Sequence, residues 1–241
     1  MIHTHRRSHS SIKAGEVLQS IFHDRIRTNL LRKQERKAIS FLVQRIPSWL
    51  SSNMLTAIGL FGSMVVCASF ILAAYLGRIW LLIGVPGFMI SWFGDSLDGR
   101  VAYFRNKPRK LYGFTLDITI DWIGIILIGL GYIIYADGFW KMLGYGFVVM
   151  YGWEMIIALM RYKITGNYSI DSGIFGPTEV RIIISALMVA EVLLPDSIIF
   201  SAIAICVLLF IFNIIDTRKL LKIADKKDIQ QADFELHSVK A

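Results

Sequence analysis

The chain is poor in residues that enzymes commonly use as nucleophiles and soft metal ligands. Only two cysteines occur, Cys67 and Cys206, both inside apolar runs. They allow no disulfide framework and no zinc spacing, and both read as small buried apolar side chains. The five histidines, His3, His5, His9, His23 and His237, all lie in the tails. No histidine is therefore available to a site in the apolar body, which disfavours Ser-His or Cys-His chemistry there. The first thirty residues contain no apolar run, so no cleavable signal peptide is expected and the first apolar segment would itself direct insertion. There is no internal repeat and no low-complexity run. Acidic residues are the minority, 18 against 26 basic ones, for a net charge of +8.

What is abundant is apolar surface. Over 241 residues the chain is 55% hydrophobic, with a mean hydropathy of +0.55, too apolar for a soluble domain of this length. Six segments meet the ~20-residue length of a membrane span, near 53–77, 79–98, 112–135, 140–160, 178–194 and 197–215, the fifth at the lower limit. Basic residues follow one face of this layout. Ten lie in the arm up to Trp49, five in 99–111, three in 161–181 and six in the C-terminal tail, leaving only Arg78 and Lys141 on the other side. The alternation puts both termini in the cytoplasm. It also explains the net charge by topology and contact with anionic lipid. Nucleic-acid binding is a poor competitor, because the basic residues form no patch interleaved with aromatics.

The fold expected is an all-α integral membrane protein with six transmembrane helices, preceded by an amphipathic interfacial arm. Residues 1–15 read as a disordered basic tail, 16–50 as the arm, 51–216 as one membrane domain and 217–241 as a charged cytoplasmic tail. In the arm, Val17, Leu18, Ile21, Phe22, Ile26, Leu30, Leu31, Ile39 and Leu42 recur at roughly helical intervals among basic residues. That pattern suits helices in the headgroup layer; a soluble helical arm is the alternative. Ser51 or Ser52 can cap the first span. Pro86 is expected to kink the second, and Pro177 suits the first turn of the fifth.

The chemistry concentrates in DSLDGRVAYFRNKPRKLYGFTLDITID. Asp95 and Asp98 are three apart at the inner end of the second span, and Asp117 and Asp121 four apart at the inner start of the third. Each pair shares one helix face, so antiparallel helices would bring all four carboxylates to one depth. Charges there are costly unless compensated, and hard divalent cations take oxygen ligands of this kind. Ion pairing with Arg100, Arg105, Arg109 or Lys110 is the plainer reading. A divalent-cation transporter is the alternative from another class, although no repeat is visible and the carboxylates lie at the edge of the membrane rather than its midplane. A purely structural scaffold would have no use for such a cage.

This stretch resembles the signature of the CDP-alcohol phosphotransferases, D-x-x-D-G-x-x-A-R, eight residues, then G-x-x-x-D-x-x-x-D. Asp95, Asp98, Gly99, Ala102, Gly113, Asp117 and Asp121 stand at matching places. The opening of the first span, PSWLSSNMLT, is similar to the family's, keeping Asn53 and Thr56. Tyr103 replaces the family arginine and the gap to Gly113 is one residue longer, so Arg105, or less well Arg100, would take the arginine's contact to substrate phosphate. The resemblance implies transfer of a phosphatidyl group from a CDP-linked lipid such as CDP-diacylglycerol to an acceptor hydroxyl, with release of CMP. It implies Mg²⁺ or Mn²⁺, two ions, held by Asp95, Asp98, Asp117 and Asp121, with Asp121 as general base. Asn53, Thr56, Gly99, Ala102, Arg105 and Gly113 would surround the nucleotide. For Asn53 and Thr56, helix capping or packing is an equal reading. A homodimer among membrane lipids is implied, with the active site facing the cytoplasm (the inner membrane in a bacterium).

The acceptor is less defined. Arg161, Lys163 and Arg181 form a second basic group on the same side, and SGIFGPTEVRIII loosely resembles a stretch of prokaryotic phosphatidylinositol-phosphate synthases. Arginine forks suit phosphate, which favours inositol phosphate as acceptor. Serine, inositol, glycerol phosphate or an amino-alcohol are the alternatives, and positive-inside anchoring is the plain reading of the three basic residues. Glu154, inside the fourth span, either orients one of them or lines the cavity.

Overall fold

The computed structural model describes residues 31–166 and 176–239, with the backbone alone for Arg32 and 234–239. The tail 1–15 and the arm positions before Leu31 lie outside the described residues. All regular structure among the described residues is helical. In chain order it comprises α1 (Arg32–Val43), α2 (Ser52–Leu76), α3 (Gly84–Phe104), α4 (Lys110–Tyr135), α5 (Lys141–Thr165), α6 (Pro177–Leu193) and α7 (Ser197–Val239). Short 3-10 turns, Arg78–Ile83 and Gly138–Trp140, precede α3 and α5.

Five segments are long and apolar enough to cross a membrane: Ser52–Leu76, Arg78–Phe104, Lys110–Tyr135, Gly138–Thr165 and Ser197–Asp233. The protein is thus an integral membrane protein. The expected span 178–194 is present as α6, which has 17 residues and is not among the five. At 1.5 Å per residue it measures about 25 Å, short of the ~30 Å hydrocarbon core.

One expectation about helix limits holds, with one of its two candidates selected, and two change. The hydroxyl of Ser51, not Ser52, caps α2, accepting a hydrogen bond from the Met54 N–H at 3.2 Å. Pro86 lies at the start of an α-helix and not in its middle. The chain leaves α2 at Gly77, whose φ of +105° favours glycine, and Pro86 then falls in the first turn of α3, where its missing N–H costs little. Finally, α3 runs on to Phe104 instead of stopping near residue 98, because Val101 and even Arg100 find buried positions. The aspartates therefore sit inside helices rather than at their ends. The charged segment after residue 216 likewise continues α7 to Val239.

Helix α2 packs against both α3 and α4. The α2–α3 approach is so close that a Cβ on Gly62 would sit 2.3 Å from the Ser91 nitrogen, and one on Gly94 2.2 Å from the Gly59 nitrogen. This small-residue face is consumed within one chain and lends no support to a homodimer. Below it, Ile39 and Val43 of α1 pack on Leu50, Leu55, Leu97 and Val101, joining the arm to the end of α3. The N-terminus of α1 also meets α6. Glu179 accepts the Leu31 N–H at 2.9 Å, and Thr178 donates to Glu35 at 3.1 Å.

Candidate active site

Helices α3 and α4 place Asp95, Asp117 and Asp121 so that one carboxylate oxygen of each lies within 4.8 Å of the others. At that separation each like-charge pair costs about 3.5 kcal/mol or more at an effective dielectric of ~20. The set therefore calls for a cation, and its all-oxygen chemistry suits a hard one. One cation is supplied by the chain itself. Arg181 reaches in from α6, its Nη1 2.7 Å from Asp95 Oδ2 and its Nη2 3.9 Å from Asp121 Oδ1.

Asp98, one turn after Asp95, is turned towards α2. Its Oδ2 accepts the Thr56 hydroxyl at 2.7 Å and its Oδ1 accepts the Gly99 N–H. Three carboxylates thus converge, and the fourth stands beside them, anchored and only 7% exposed. All four line one cavity with about 750 Å³ of empty space, part of it open to solvent. Part of its lining is apolar, with Ile120, Ile125, Ile128 and Ile184, while Thr56, Ser63 and Ser91 contribute hydroxyls. The Ser63 and Ser91 hydroxyls are 3.4 Å apart.

Of the other residues singled out from the sequence, Thr56 lines the cavity and Arg181 enters it. Gly99 and Gly113 have nothing within 4 Å of a would-be Cβ, so the backbone there is open to approach. Asn53 is exposed and holds the start of α2 to that of α4. It accepts from Arg109 Nη2 at 2.5 Å and donates to the Tyr112 hydroxyl at 3.4 Å. The Arg109 guanidinium in turn lies 4.2 Å from the centre of the Tyr112 ring. Ala102 is not among the cavity residues, and its carbonyl accepts the Lys107 N–H at 2.9 Å.

Arg105 is placed differently from the phosphate-contacting role expected of it. Its guanidinium donates to the carbonyls of Leu50 at 2.7 Å, Pro47 at 2.8 Å and Ile46 at 3.4 Å. These carbonyls border a break between helices α1 and α2, where the backbone lacks helical partners. The three basic residues grouped as acceptor ligands are also separated. Arg161 meets Asp216 of α7 at 3.4 Å and Lys163 is exposed; neither lines the cavity that Arg181 enters.

Several cavity residues escaped the sequence reading, Ser63, Ser91 and Tyr151 among them. Tyr151 of α5 faces the aspartate cage across the cavity, close enough to feel the charges of Asp121, Arg181 and Asp95. A tyrosine in an apolar run carries no motif, and its neighbour Glu154 was the more conspicuous polar residue. Beside it, Gly152 admits the Trp122 ring, which a Cβ would meet at 2.6 Å. This contact presses α5 against the turn that carries Asp121.

Residues 49–215 match the family model described as CDP-alcohol phosphatidyltransferase. No curated protein matches the chain.

Proposed function

The chain belongs to the CDP-alcohol phosphatidyltransferase family, and from that premise we propose that it makes a phospholipid by moving a phosphatidyl group from a CDP-linked lipid to an acceptor hydroxyl. The observation that carries this reading is the convergence of Asp95, Asp117 and Asp121 within 4.8 Å in a cavity whose lining is partly apolar. Carboxylates beside an apolar lining suit a nucleotide-activated lipid.

Asp95, Asp117 and Asp121 would hold a divalent cation such as Mg²⁺ or Mn²⁺, with Asp98 alongside. When bound, it supplies positive charge for the pyrophosphate and the departing CMP. The acceptor oxygen attacks the phosphorus on the lipid side. The new P–O bond forms as the bond to CMP breaks, and CMP leaves with that electron pair. Asp121 takes the acceptor's proton. Thr56 holds Asp98 at a fixed rotamer, and the open backbone at Gly99 and Gly113 leaves room for the nucleotide. No covalent enzyme intermediate is needed.

Arg181 is our candidate for the acceptor. With Asp95 and Asp121 neutralised, its fork is free to turn to a phosphate, which favours a phosphorylated acceptor, inositol phosphate first and glycerol phosphate second, over serine, inositol or an amino-alcohol. Arg161 and Lys163 then serve the membrane interface. We take α6 as a sixth, short span, so that both termini and the cage face the cytoplasm, as the distribution of basic residues requires. A transporter would instead set its carboxylates on interrupted helices, whereas α3 and α4 run unbroken through theirs. Purified protein given CDP-diacylglycerol, Mg²⁺ and one acceptor at a time tests the assignment. Inositol phosphate is expected to give the fastest formation of product lipid, and a clear preference for an uncharged acceptor would remove Arg181 from this role.

A further inference from the structure

A second group of buried oxygens lies apart from the aspartate cage, between α5 and α7. These helices run parallel in a constant register. Cys206 Sγ donates to the Leu143 carbonyl at 3.6 Å, Asn213 Nδ2 to that of Met150 at 2.8 Å and Lys227 Nζ to that of Ile164 at 2.6 Å, each pair 63 residues apart. The same offset sets Thr217 beside Glu154. Glu154 is 5% exposed and Asn213 fully buried. Both carboxylate oxygens of Glu154, Asn213 Oδ1 and Thr217 Oγ1 are buried without a hydrogen-bond partner among the described residues. Asp216, also buried, is near enough to repel Glu154.

Leaving such oxygens unmatched is expensive. Protonation of Glu154 would bring one hydrogen to four oxygen atoms. The Thr217 hydroxyl brings a second, yet it makes no bond to Glu154. Oxygens that share a level without pairing are better satisfied by one body among them than by one another. The charges specify its nature. Asp216 is met by Arg161 at 3.4 Å and by the solvent-facing Lys219 at 3.2 Å, whereas Glu154 has no direct ion pair among the described residues, and Arg161 attracts it only from a distance. One negative charge amid hard, neutral oxygens selects a hard monovalent ion.

We propose that Glu154, Asn213 and Thr217, with Asp216 close by, form a site for a monovalent alkali cation of sodium type, separate from the divalent cage. It would lock α5 to α7. Because Tyr151 and Met155 on α5 line the catalytic cavity, it would also fix that wall. The site does not depend on the reaction proposed above.

The test uses the full chain in detergent with EDTA present, comparing unfolding in sodium chloride and in choline chloride at equal ionic strength. Sodium is expected to raise Tm saturably by about 3 °C, as for a ligand at some ten times its Kd. Glu154→Gln, which keeps the shape and removes the charge, should abolish the sodium-specific part and leave the response to Mg²⁺ intact. Sodium NMR line broadening on the unmodified protein gives the same answer if the variant does not fold. Equal shifts in the two salts, a sodium response that survives in Glu154→Gln, or no line broadening would overturn the proposal.

Discussion

Replacing Arg181 by glutamine tests how the cage is held together. Arg181 is 16% exposed and its partners Asp95 and Asp121 are 17% and 24% exposed, so solvent screens these contacts only in part. Removing one partner of a largely buried ion pair costs about 3 kcal/mol, here because three carboxylates within 4.8 Å lose their internal cation. In a chain of this size that corresponds to a fall in Tm of about 6–12 °C in EDTA. A divalent ion replaces the lost charge, so saturating Mg²⁺ should restore most of the difference. Because the guanidinium no longer competes for Asp95 and Asp121, Mn²⁺ should bind at least about tenfold tighter, the equivalent of ~1.4 kcal/mol of removed competition. Unfolding followed by tryptophan fluorescence gives the first quantity, and electron paramagnetic resonance of free Mn²⁺ the second. Weaker Mn²⁺ binding in Arg181→Gln, or an unchanged Tm in EDTA, would refute the argument that Arg181 stands in for the cation.

Other residues lead to distinct outcomes. Asp121→Asn is expected to abolish CMP release while CDP-lipid binding, followed by equilibrium dialysis, largely persists; near-normal turnover would remove Asp121 from the role of base. Thr56→Val removes the bond that holds Asp98 and should destabilise by about 1–3 kcal/mol while lowering kcat, and an unchanged kcat would show that the rotamer of Asp98 is unimportant. Gly94→Val drives side-chain atoms into the backbone of α2, so no stable protein should be recovered; a Tm like that of the parent would contradict the close α2–α3 packing. Arg105→Ala frees the 46–50 connection and should lower Tm by several degrees with little change in the KM for CDP-lipid. A selective rise in that KM would return Arg105 to the phosphate.

The cage was legible because its information is local. Spacings of three and four put each aspartate pair on one helix face, and the short connection between the two helices lets the pairs meet. What needed the structure depends on distant partners. The Thr56 hydroxyl that turns Asp98 away from its three companions is 42 residues from it, and Arg181 reaches Asp95 across 86. The family resemblance gave Arg105 a contact to substrate phosphate, whereas its guanidinium gathers the carbonyls of Ile46, Pro47 and Leu50 at the α1–α2 break, a set of partners no pattern registers. Helix limits were misjudged where the apolar runs end. Both α3 and α7 continue through charged residues, the first because they are buried in partnered positions and the second because a helix past the membrane can face its charges to water.

The most direct measurement is CMP release by the purified protein in lipid vesicles, with CDP-diacylglycerol, acceptor and Mg²⁺ each omitted in turn. The account predicts CMP only when all three are present, with loss of the signal in EDTA and its recovery on returning Mg²⁺. Absence of CMP with every acceptor, together with flux of divalent ions into the vesicles, would contradict it.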